Sequence, residues 1–204
     1  MPHRVTGVIL AGGRSTRFGG RPKGLETVGG VRIVDRVAAA LGAVCDALLV
    51  VANVPDAAAW LPGVRVAPDL RPGAGALGGL HAALAHARTA ILVVAWDMPF
   101  VGPPLLAALR DLGRAGARAA LPLHPDGHLE PLCAYYDAAC VHDAARLLAA
   151  GERRARALGE SVDAAVLDGA ALAALGDPRL LLASVNTPAE LARADALALL
   201  HAAP

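Results

Sequence analysis

The segment of the chain with the most evident chemical potential lies between residues 10 and 25, where the sequence reads LAGGRSTRFGGRPKGL. It combines paired glycines with four cationic side chains and directly follows an apolar run. Glycine lets backbone amides approach a ligand closely, and consecutive amides form a cradle for phosphate oxygens. Cations within a few ångströms add the charge that a triphosphate needs. The segment therefore predicts a site for nucleotide phosphates.

This glycine-rich segment differs from two common phosphate-binding motifs. No Gly-Lys-Ser or Gly-Lys-Thr closes it as in a Walker loop, and its glycine spacing departs from GxGxxG. Both differences disfavour a P-loop kinase and a dinucleotide-dependent dehydrogenase. The remaining alternative is a surface loop that is basic by chance, and the position directly after a buried first strand argues against it.

A second candidate group is Asp97, which ends the apolar run 91–96. A carboxylate at the carboxyl end of a central parallel strand lies at the ligand crevice of the sheet, and Mg²⁺ takes one or two carboxylates plus phosphate oxygens. Asn186, in the sequence Ser-Val-Asn-Thr-Pro, can offer a second oxygen. The alternatives are a helix cap or an arginine-paired loop acid for Asp97, and a cap of the last helix for Asn186.

The length, charge and hydropathy of the chain limit the kinds of protein that it can be. The chain has 204 residues, which suits a single domain over 1–204, and 19 Lys plus Arg against 18 Asp plus Glu give a net charge of +1. This balance does not point to nucleic acid or to an anionic membrane surface as a partner. Every apolar stretch is too short to cross a bilayer, and the start MPHRVTGVIL lacks a cleavable signal, so we expect a cytoplasmic protein.

Cysteines and histidines give no metal motif in the sequence. Cys45, Cys133 and Cys140 are far apart, odd in number and without a CxxC pair, which predicts reduced thiols and not a disulfide framework or a zinc site. His124 and His128 bracket Pro-Asp-Gly, which indicates a turn and not a helical face of metal ligands.

The elements that must position these groups follow from an alternation of short apolar runs with helix-length stretches. Strands are expected at 5–10, 47–52, 64–67 and 91–96, and helices at 33–43, 77–88 and 104–114. Continuous apolar strands suit a parallel sheet that is buried on both faces. The order predicts the α/β class, with a doubly wound, mostly parallel sheet and helices on both faces.

The second half of the chain adds a different pattern. Runs 117–123 and 132–136 flank His-Pro-Asp-Gly-His and predict a hairpin, which makes the sheet mixed. Helices are expected at 137–150 and 152–158, a strand at 180–185 and a closing helix at 189–200. Thr187 is the expected N-cap of that last helix, with Pro188 in its first turn and Glu190 completing a capping box.

The run LAGGRSTRFGGRPKGL resembles the signature LAGGxSxRMGxDK of the molybdenum cofactor guanylyltransferases. These belong to the glycosyltransferase-A-like nucleotidyltransferases, which have a Rossmann-like fold. The resemblance continues in family order through GALGGLHAAL, VVAWDMPFV, EPLCAYY, LLAAGERRARAL and VNTPAELARA, and so covers nearly the whole chain. The opening motif indicates only the larger group, whereas the ordered set indicates the guanylyltransferase branch.

Carried over by position, the resemblance implies a nucleotide site in which backbone groups face the guanine and ribose while side chains meet the phosphates and a magnesium ion. The nucleotide-binding set is Leu10, Ala11, Gly12, Gly13, Lys23, Asn53, Asp69 and Asp97. The catalytic set is Lys23, Arg17 and Asp97. The magnesium ligand is Asp97, with Asn186 as the second oxygen considered above.

The resemblance also implies the reaction. GMP is transferred from GTP to a phosphorylated acceptor, molybdopterin, with Mg²⁺ as cofactor and pyrophosphate as leaving group. The resemblance is also compatible with transient contact between this protein and other molybdenum-cofactor proteins. We expect the acceptor pocket between 130–132 and the basic segment 151–156. The alternative for Arg153, Arg154 and Arg156 is a solvated helix face, on which Arg153 and Arg156 lie together.

Three departures from the family pattern affect the base preference more than the chemistry. Pro22 stands where this branch has aspartate, and Phe18 replaces methionine. Val51 aligns with a nucleotide-binding asparagine of some relatives, which leaves Asn53 as a substitute. Because Pro22-Lys23 is commoner in CTP-using and sugar-phosphate nucleotidyltransferases, such an enzyme is one alternative. A non-catalytic nucleotide-binding regulator or adaptor is the other.

Overall fold

The structure of the chain, a computed structural model, describes residues 4–12 and 22–202. The strands within these residues are β1 (Val5–Ala11), β2 (Thr27–Val28), β3 (Val31–Arg32), β4 (Ala47–Ala52), β5 (Arg65–Ala67), β6 (Ala90–Ala95), β7 (Ala119–Pro122), β8 (Cys133–Tyr136) and β9 (Ala165–Leu167). The α-helices are α1 (Ile33–Gly42), α2 (Gly75–Ala87), α3 (Pro103–Arg114), α4 (Cys140–Ala149), α5 (Arg156–Ser161), α6 (Gly169–Ala173), α7 (Pro178–Leu181) and α8 (Pro188–Ala202). Two 3₁₀ helices cover Lys23–Leu25 and Pro55–Ala59.

Seven of the described strands form one mixed sheet in the order β5-β4-β1-β6-β8-β7-β9. β1 pairs in parallel with β4 on one side and with β6 on the other, so that Ile9 lies between Val50 and Val94. The chain moves outward from β1 to β4 and β5, and then returns through α2 to β6 on the opposite side of β1. The reversal of direction creates a topological switch point, where ligands bind in open α/β sheets.

Helices cover both faces of this sheet, as predicted. Because side chains alternate along a strand, Ile9 and Val50 face one buried core while Val8 and Leu49 face another. Residues of α1, α3 and α8 complete the first core, and residues of α2, α4 and α5 complete the second. The central strands are therefore held from both sides, which fixes the positions of the residues that follow them.

The antiparallel pair β7–β8 confirms the predicted hairpin, and β8 also pairs antiparallel with β6. No sequence pattern predicts β9, because three residues are too few for a periodic pattern. β9 pairs in parallel with β7.

The strand expected at 180–185 was wrong. Helix α7 occupies the start of this run, where the side chain of Asp177 accepts a hydrogen bond from the backbone N–H of Arg179 at 2.9 Å. A local signal explains this helix, because an N-cap aspartate followed by proline in the first turn, as in Asp177-Pro178, is typical of a helix start. Leu182 and Val185 are buried without strand pairing, so the apolar run reflects burial alone.

Thr187 caps the last helix as predicted, but the Glu190 carboxylate bonds the residue before the cap, Asn186, and not the N–H of Thr187 itself. The hydroxyl of Thr187 accepts from the backbone N–H of Glu190 at 3.2 Å, and the Glu190 carboxylate accepts from the backbone N–H of Asn186 at 2.7 Å. The helix expected at 152–158 begins later, at Arg156, because the Glu152 carboxylate accepts the backbone N–H groups of Arg153 and Arg154 and holds a turn there.

Two glycines at helix ends allow a matched test of the packing. A Cβ at Gly113 in α3 would lie 2.2 Å from the ring of Tyr135, which is 5% exposed, whereas a Cβ at Gly42 in α1 would meet no described heavy atom within 4 Å. We expect Gly113→Ala to lower the free energy of unfolding by about 1–3 kcal/mol through overpacking. Gly42→Ala should raise it by about 0.5–1 kcal/mol, because alanine loses less backbone entropy. Urea unfolding checks both values, and equal stabilities would contradict the packing described.

Candidate active site

A cavity of about 740 Å³ opens at the carboxyl ends of β1, β4, β5 and β6. This volume is in the range of pockets that bind small molecules and cofactors. The predicted site residues that line it are Leu10, Ala11, Gly12, Lys23, Asn53, Asp69 and Asp97. Gly13 and Arg17 lie outside the described residues, so their roles stay predictions.

The contacts of Lys23 define the centre of the site. Its ammonium group donates to the carboxylate of Asp97 and, at 2.8 Å, to the amide oxygen of Asn186. Asp97 is 7% exposed, and among the described residues it is the one charged side chain that is buried. A buried carboxylate requires such a partner, because an unpaired charge is costly to remove from water. The three residues are distant in sequence and meet only in the folded chain.

Backbone contacts place these three side chains. Asp97 follows β6, and its carbonyl accepts from the N–H of Val185 at 2.8 Å, which brings the segment before α8 alongside β6. The amide nitrogen of Asn186 donates to the hydroxyl of Ser184 at 2.9 Å, which turns its oxygen toward Lys23. The side chain of Asn186 is therefore part of the Lys23 cluster, while Thr187 supplies the side-chain cap of α8.

Two stacked tryptophans, Trp96 and Trp60, pack beside the backbone next to Lys23. Lys23 begins the 3₁₀ helix whose next residue, Gly24, lies so close to Trp96 that a Cβ there would be 2.4 Å from the indole ring. Trp96 is 4% exposed and stacks on Trp60 with ring centroids 5.0 Å apart. Glycine is thus required beside Lys23 for steric reasons. Trp96 contributes to packing and also forms part of the cavity wall.

Asn53 and Asp69 form a polar pair on the other side of β1. Asn53 follows β4 and Asp69 follows β5, and two hydrogen bonds join them. The amide of Asn53 donates to the Asp69 carboxylate at 2.7 Å, and its oxygen accepts from the backbone N–H of Asp69 at 2.8 Å. The pair presents carboxylate and amide groups to the cavity, where they can recognise hydrogen-bond donors of a ligand.

Glu130 lies in the wall of the cavity on the side of β8. The sequence predicted this residue only as part of the border of the acceptor pocket. Its carboxylate accepts from the backbone N–H of Leu132 at 3.1 Å. Burial raises the pKa of Glu130 above its usual range despite that hydrogen bond, and the charge of Asp97 contributes in the same direction. Sequence reasoning gave Glu130 no role of its own, because the family segment EPLCAYY that it begins does not indicate any particular chemistry for the glutamate.

Arg153 braces the glycine-rich entrance of α2. Its guanidinium donates to the carbonyl of Gly73 at 3.1 Å, and its own carbonyl accepts from the N–H of Leu77 at 3.1 Å. Arg154 pairs with Glu152, and Arg156 lies 3.8 Å from Glu160. Because only Arg156 belongs to α5, the helical face expected for Arg153 and Arg156 was wrong.

The arrangement has three chemical capacities. The Lys23 ammonium can neutralise phosphate charge, the oxygens of Asp97 and Asn186 can hold a hard cation, and the strand ends around Leu10 can contact a nucleoside. A mixed, doubly wound sheet with this set at its switch point defines a nucleotidyltransferase.

Similarity to known proteins agrees with this class. Residues 7–166 match the family model described as the MobA-like NTP transferase domain. The chain is 38% identical over 196 residues to a probable molybdenum cofactor guanylyltransferase of Pelotomaculum thermopropionicum, an alignment that covers 96% of this chain and 94% of the relative. The chain belongs to the MobA-like NTP transferases and, within them, to the molybdenum cofactor guanylyltransferase family.

Solved structures agree with the fold. The crystal structure of molybdopterin-guanine dinucleotide biosynthesis protein A from Archaeoglobus fulgidus superimposes with a TM-score of 0.79 at 27% identity, covering 94% of this chain and 97% of that one. The Rv0371C protein of Mycobacterium tuberculosis, solved as a manganese complex, superimposes with a TM-score of 0.59 at 25% identity and covers 82% and 88% of the two chains.

None of the helices in the described ranges combines the length and the apolar composition needed to span a bilayer.

The turn before α5 gives a pH-dependent prediction. Hydrogen bonds from the Arg154 side chain and from the backbone N–H groups of Arg154 and Arg153 lower the pKa of Glu152 from 4.5 to about 2. A lowered pKa stabilises the folded chain above the unfolded-state pKa, and this contribution is lost as the pH falls from about 4.5 toward 2. We expect Glu152→Gln to be less stable than wild type at pH 7, with a difference that narrows below pH 4.5.

Urea midpoints between pH 3 and 7 test this dependence on Glu152. The control is Glu160→Gln, an exposed acid in α5 whose carboxylate lies 3.8 Å from Arg156. A difference between wild type and Glu152→Gln that is constant with pH would contradict the assignment.

Proposed function

We propose that this chain transfers GMP from GTP to the phosphate of molybdopterin and releases pyrophosphate. The observation that carries the proposal is the meeting of Lys23, Asp97 and Asn186 at the ligand edge of the sheet, beside a cavity lined by Leu10, Ala11 and Gly12. The names of the relatives support the choice of nucleotide and acceptor.

The transfer is an in-line displacement at phosphorus. An oxygen of the acceptor phosphate attacks the α-phosphorus of GTP, the bond from that phosphorus to the bridging oxygen breaks, and the electron pair leaves with pyrophosphate. A phosphate monoester is already anionic at neutral pH, so the step needs no strong base. The chain contributes position and charge: Lys23 stabilises the negative charge that develops on the leaving group, and the strand ends fix the nucleoside.

The donor set at Asp97 fits a divalent cation such as Mg²⁺. One carboxylate and one amide oxygen are hard ligands, and both already converge on a single positive group, the Lys23 ammonium. A bound magnesium ion would neutralise phosphate charge between the two substrates. We propose that Lys23 then exchanges Asp97 for the triphosphate. In the absence of nucleotide, Lys23 balances the buried carboxylate.

The pair of Asn53 and Asp69 favours guanine. Guanine presents two adjacent donors, its ring N1–H and its 2-amino group, which a carboxylate can accept together. Cytosine offers no such adjacent pair. Asp69 is positioned by both hydrogen bonds to Asn53, and it lies on the β5 side of the cavity, away from the cluster of Lys23. This arrangement supports GTP over the CTP suggested by Pro22-Lys23.

The acceptor side of the proposal rests on the opposite wall. Glu130 and Leu132 line the cavity next to Asp97, and the basic segment that begins at Arg153 borders the same opening through Gly73. Arg154 is held by Glu152 at 2.5 Å, whereas the contact of Arg156 with Glu160 is longer, at 3.8 Å. We therefore propose Arg153 and Arg156 as the cations available to the acceptor phosphate.

The central prediction concerns turnover. Lys23→Ala and Asp97→Asn should each lower the rate of pyrophosphate release by two to three decades, about 3 kcal/mol of transition-state stabilisation, because a fixed charge at the phosphates is lost. Assays use GTP, molybdopterin and Mg²⁺, with circular dichroism to confirm folding. Asp111→Asn, which alters an exposed acid of α3 outside the cavity lining, is the matched control and should keep its rate. Near-normal turnover of Asp97→Asn would overturn the proposed role, and pyrophosphate release by wild type excludes a non-catalytic regulator.

A second prediction uses the fact that Lys23 is the only lysine of the sequence. An amine-reactive ester, followed by mass spectrometry, therefore reports on this side chain alone, with the N-terminal amine as internal control. We expect GTP with Mg²⁺ to slow modification of Lys23 at least about tenfold at a hundred times its dissociation constant, with CTP weaker at equal concentration, because binding occupies the amine. Equal protection by CTP would favour the cytidyl alternative. No protection by any triphosphate would show that Lys23 does not contact the nucleotide.

A further inference from the structure

The turn between β7 and β8 brings three potential metal ligands together. His124, Asp126 and His128 each offer one ligand atom, and these atoms all lie within 4.8 Å of one another. The sequence predicted turn chemistry at this position and no ligand site. The turn is present, and the structure adds a juxtaposition of side chains that spacing alone did not reveal.

The backbone of this turn fixes the two histidines opposite each other. The N–H of His124 donates to the carbonyl of His128 at 2.8 Å, and the N–H of Gly127 donates to the carbonyl of His124, also at 2.8 Å. Gly127 adopts a φ of +90°, which favours glycine, and a bridge between Leu123 and Leu129 closes the base of the turn. The ligands therefore come from one short closed loop.

The side chains converge on a single point. The Nδ1 atoms of His124 and His128 lie 3.0 Å and 2.5 Å from the same carboxylate oxygen of Asp126. The two imidazole rings stack with centroids 4.6 Å apart and an angle of 8° between their planes. Ligand atoms around a tetrahedral ion with bonds of about 2.1 Å are roughly 3.4 Å apart. The observed separations, from 2.5 Å to at most 4.8 Å, bracket this value.

The chemistry of the three donors selects the type of ion. Imidazole nitrogens suit zinc and other transition metals, whereas Mg²⁺ prefers oxygen ligands such as those of Asp97 and Asn186. Three protein ligands leave a further coordination position for water. Asp126 and His128 are more than half exposed, so an ion can reach the turn from solvent.

We propose that His124, Asp126 and His128 form a binding site for a transition-metal dication, with Zn²⁺ as the ion that best fits two imidazoles and a carboxylate. The site lies next to the nucleotide cavity, because Glu130 follows His128 by two residues and lines the cavity wall. The bound ion cross-links the two arms of the turn and so holds this wall in place.

Calorimetric titration of Zn²⁺ into the full-length chain, without a histidine tag, tests the proposal. Saturating Mg²⁺ is present to occupy oxygen-rich sites. We expect one equivalent to bind to wild type. His128→Ala and Asp126→Asn should each lower the affinity at least about tenfold, because loss of even an outer partner of a metal ligand costs that much. His142→Ala, which removes an exposed histidine of α4, should bind like wild type.

Two further measurements separate this site from other sources of binding. The visible spectrum of the Co²⁺ form should show nitrogen and oxygen ligation without thiolate charge transfer, which excludes the cysteines. Asp97→Asn should keep its Zn²⁺ affinity, which separates the turn from the nucleotide site. Circular dichroism without metal confirms that the variants fold. Absence of stoichiometric Zn²⁺ binding, or equal affinity in wild type and His128→Ala, would overturn the proposal and leave a turn held by hydrogen bonds alone.

Discussion

The ammonium group of Lys23 sits between the carboxylate of Asp97 and the amide oxygen of Asn186, and the rest of the site depends on this contact. A carboxylate that is only 7% exposed is stable in its charged form when a cation compensates it. The contact joins the end of β6, the 3₁₀ helix that ends the glycine-rich segment and the chain that leads into α8. In the proposed reaction, the same three groups meet the phosphates and their counter-ion.

The sheet makes the contact of Lys23 with Asp97 and Asn186 possible, because it holds the strands β1 and β6 in fixed positions. β1 and β6 lie side by side between two buried cores, so the residues that follow them begin from fixed points. Gly24 packs against Trp96, and Trp96 stacks on Trp60. These contacts fix the position of the backbone at Lys23. Close packing transmits these positions because a dense interior leaves little room for adjustment.

The two sides of the cavity come from different parts of the sheet. The parallel strands β4 and β5 supply Asn53 and Asp69, whereas the antiparallel strands β7 and β8 and their connection supply Glu130 and the histidine-containing turn. A nucleoside site on the parallel side and an acceptor site on the antiparallel side would place the reacting phosphates near Asp97, between them. The mixed sheet is therefore directly relevant to a reaction that joins two substrates.

The sequence by itself determined the features that depend on local pattern. Apolar runs of strand length predicted the central strands, and the residues Thr187 to Glu190 predicted the start of α8. The position of Asp97 after an apolar strand predicted that it lies at the ligand edge. Only the tertiary structure decided that Asn186 turns toward Lys23, that Leu182 and Val185 are buried without strand pairing, and that β9 joins β7. These features arise from contacts between residues far apart in the chain, and local propensity carries no information about such partners.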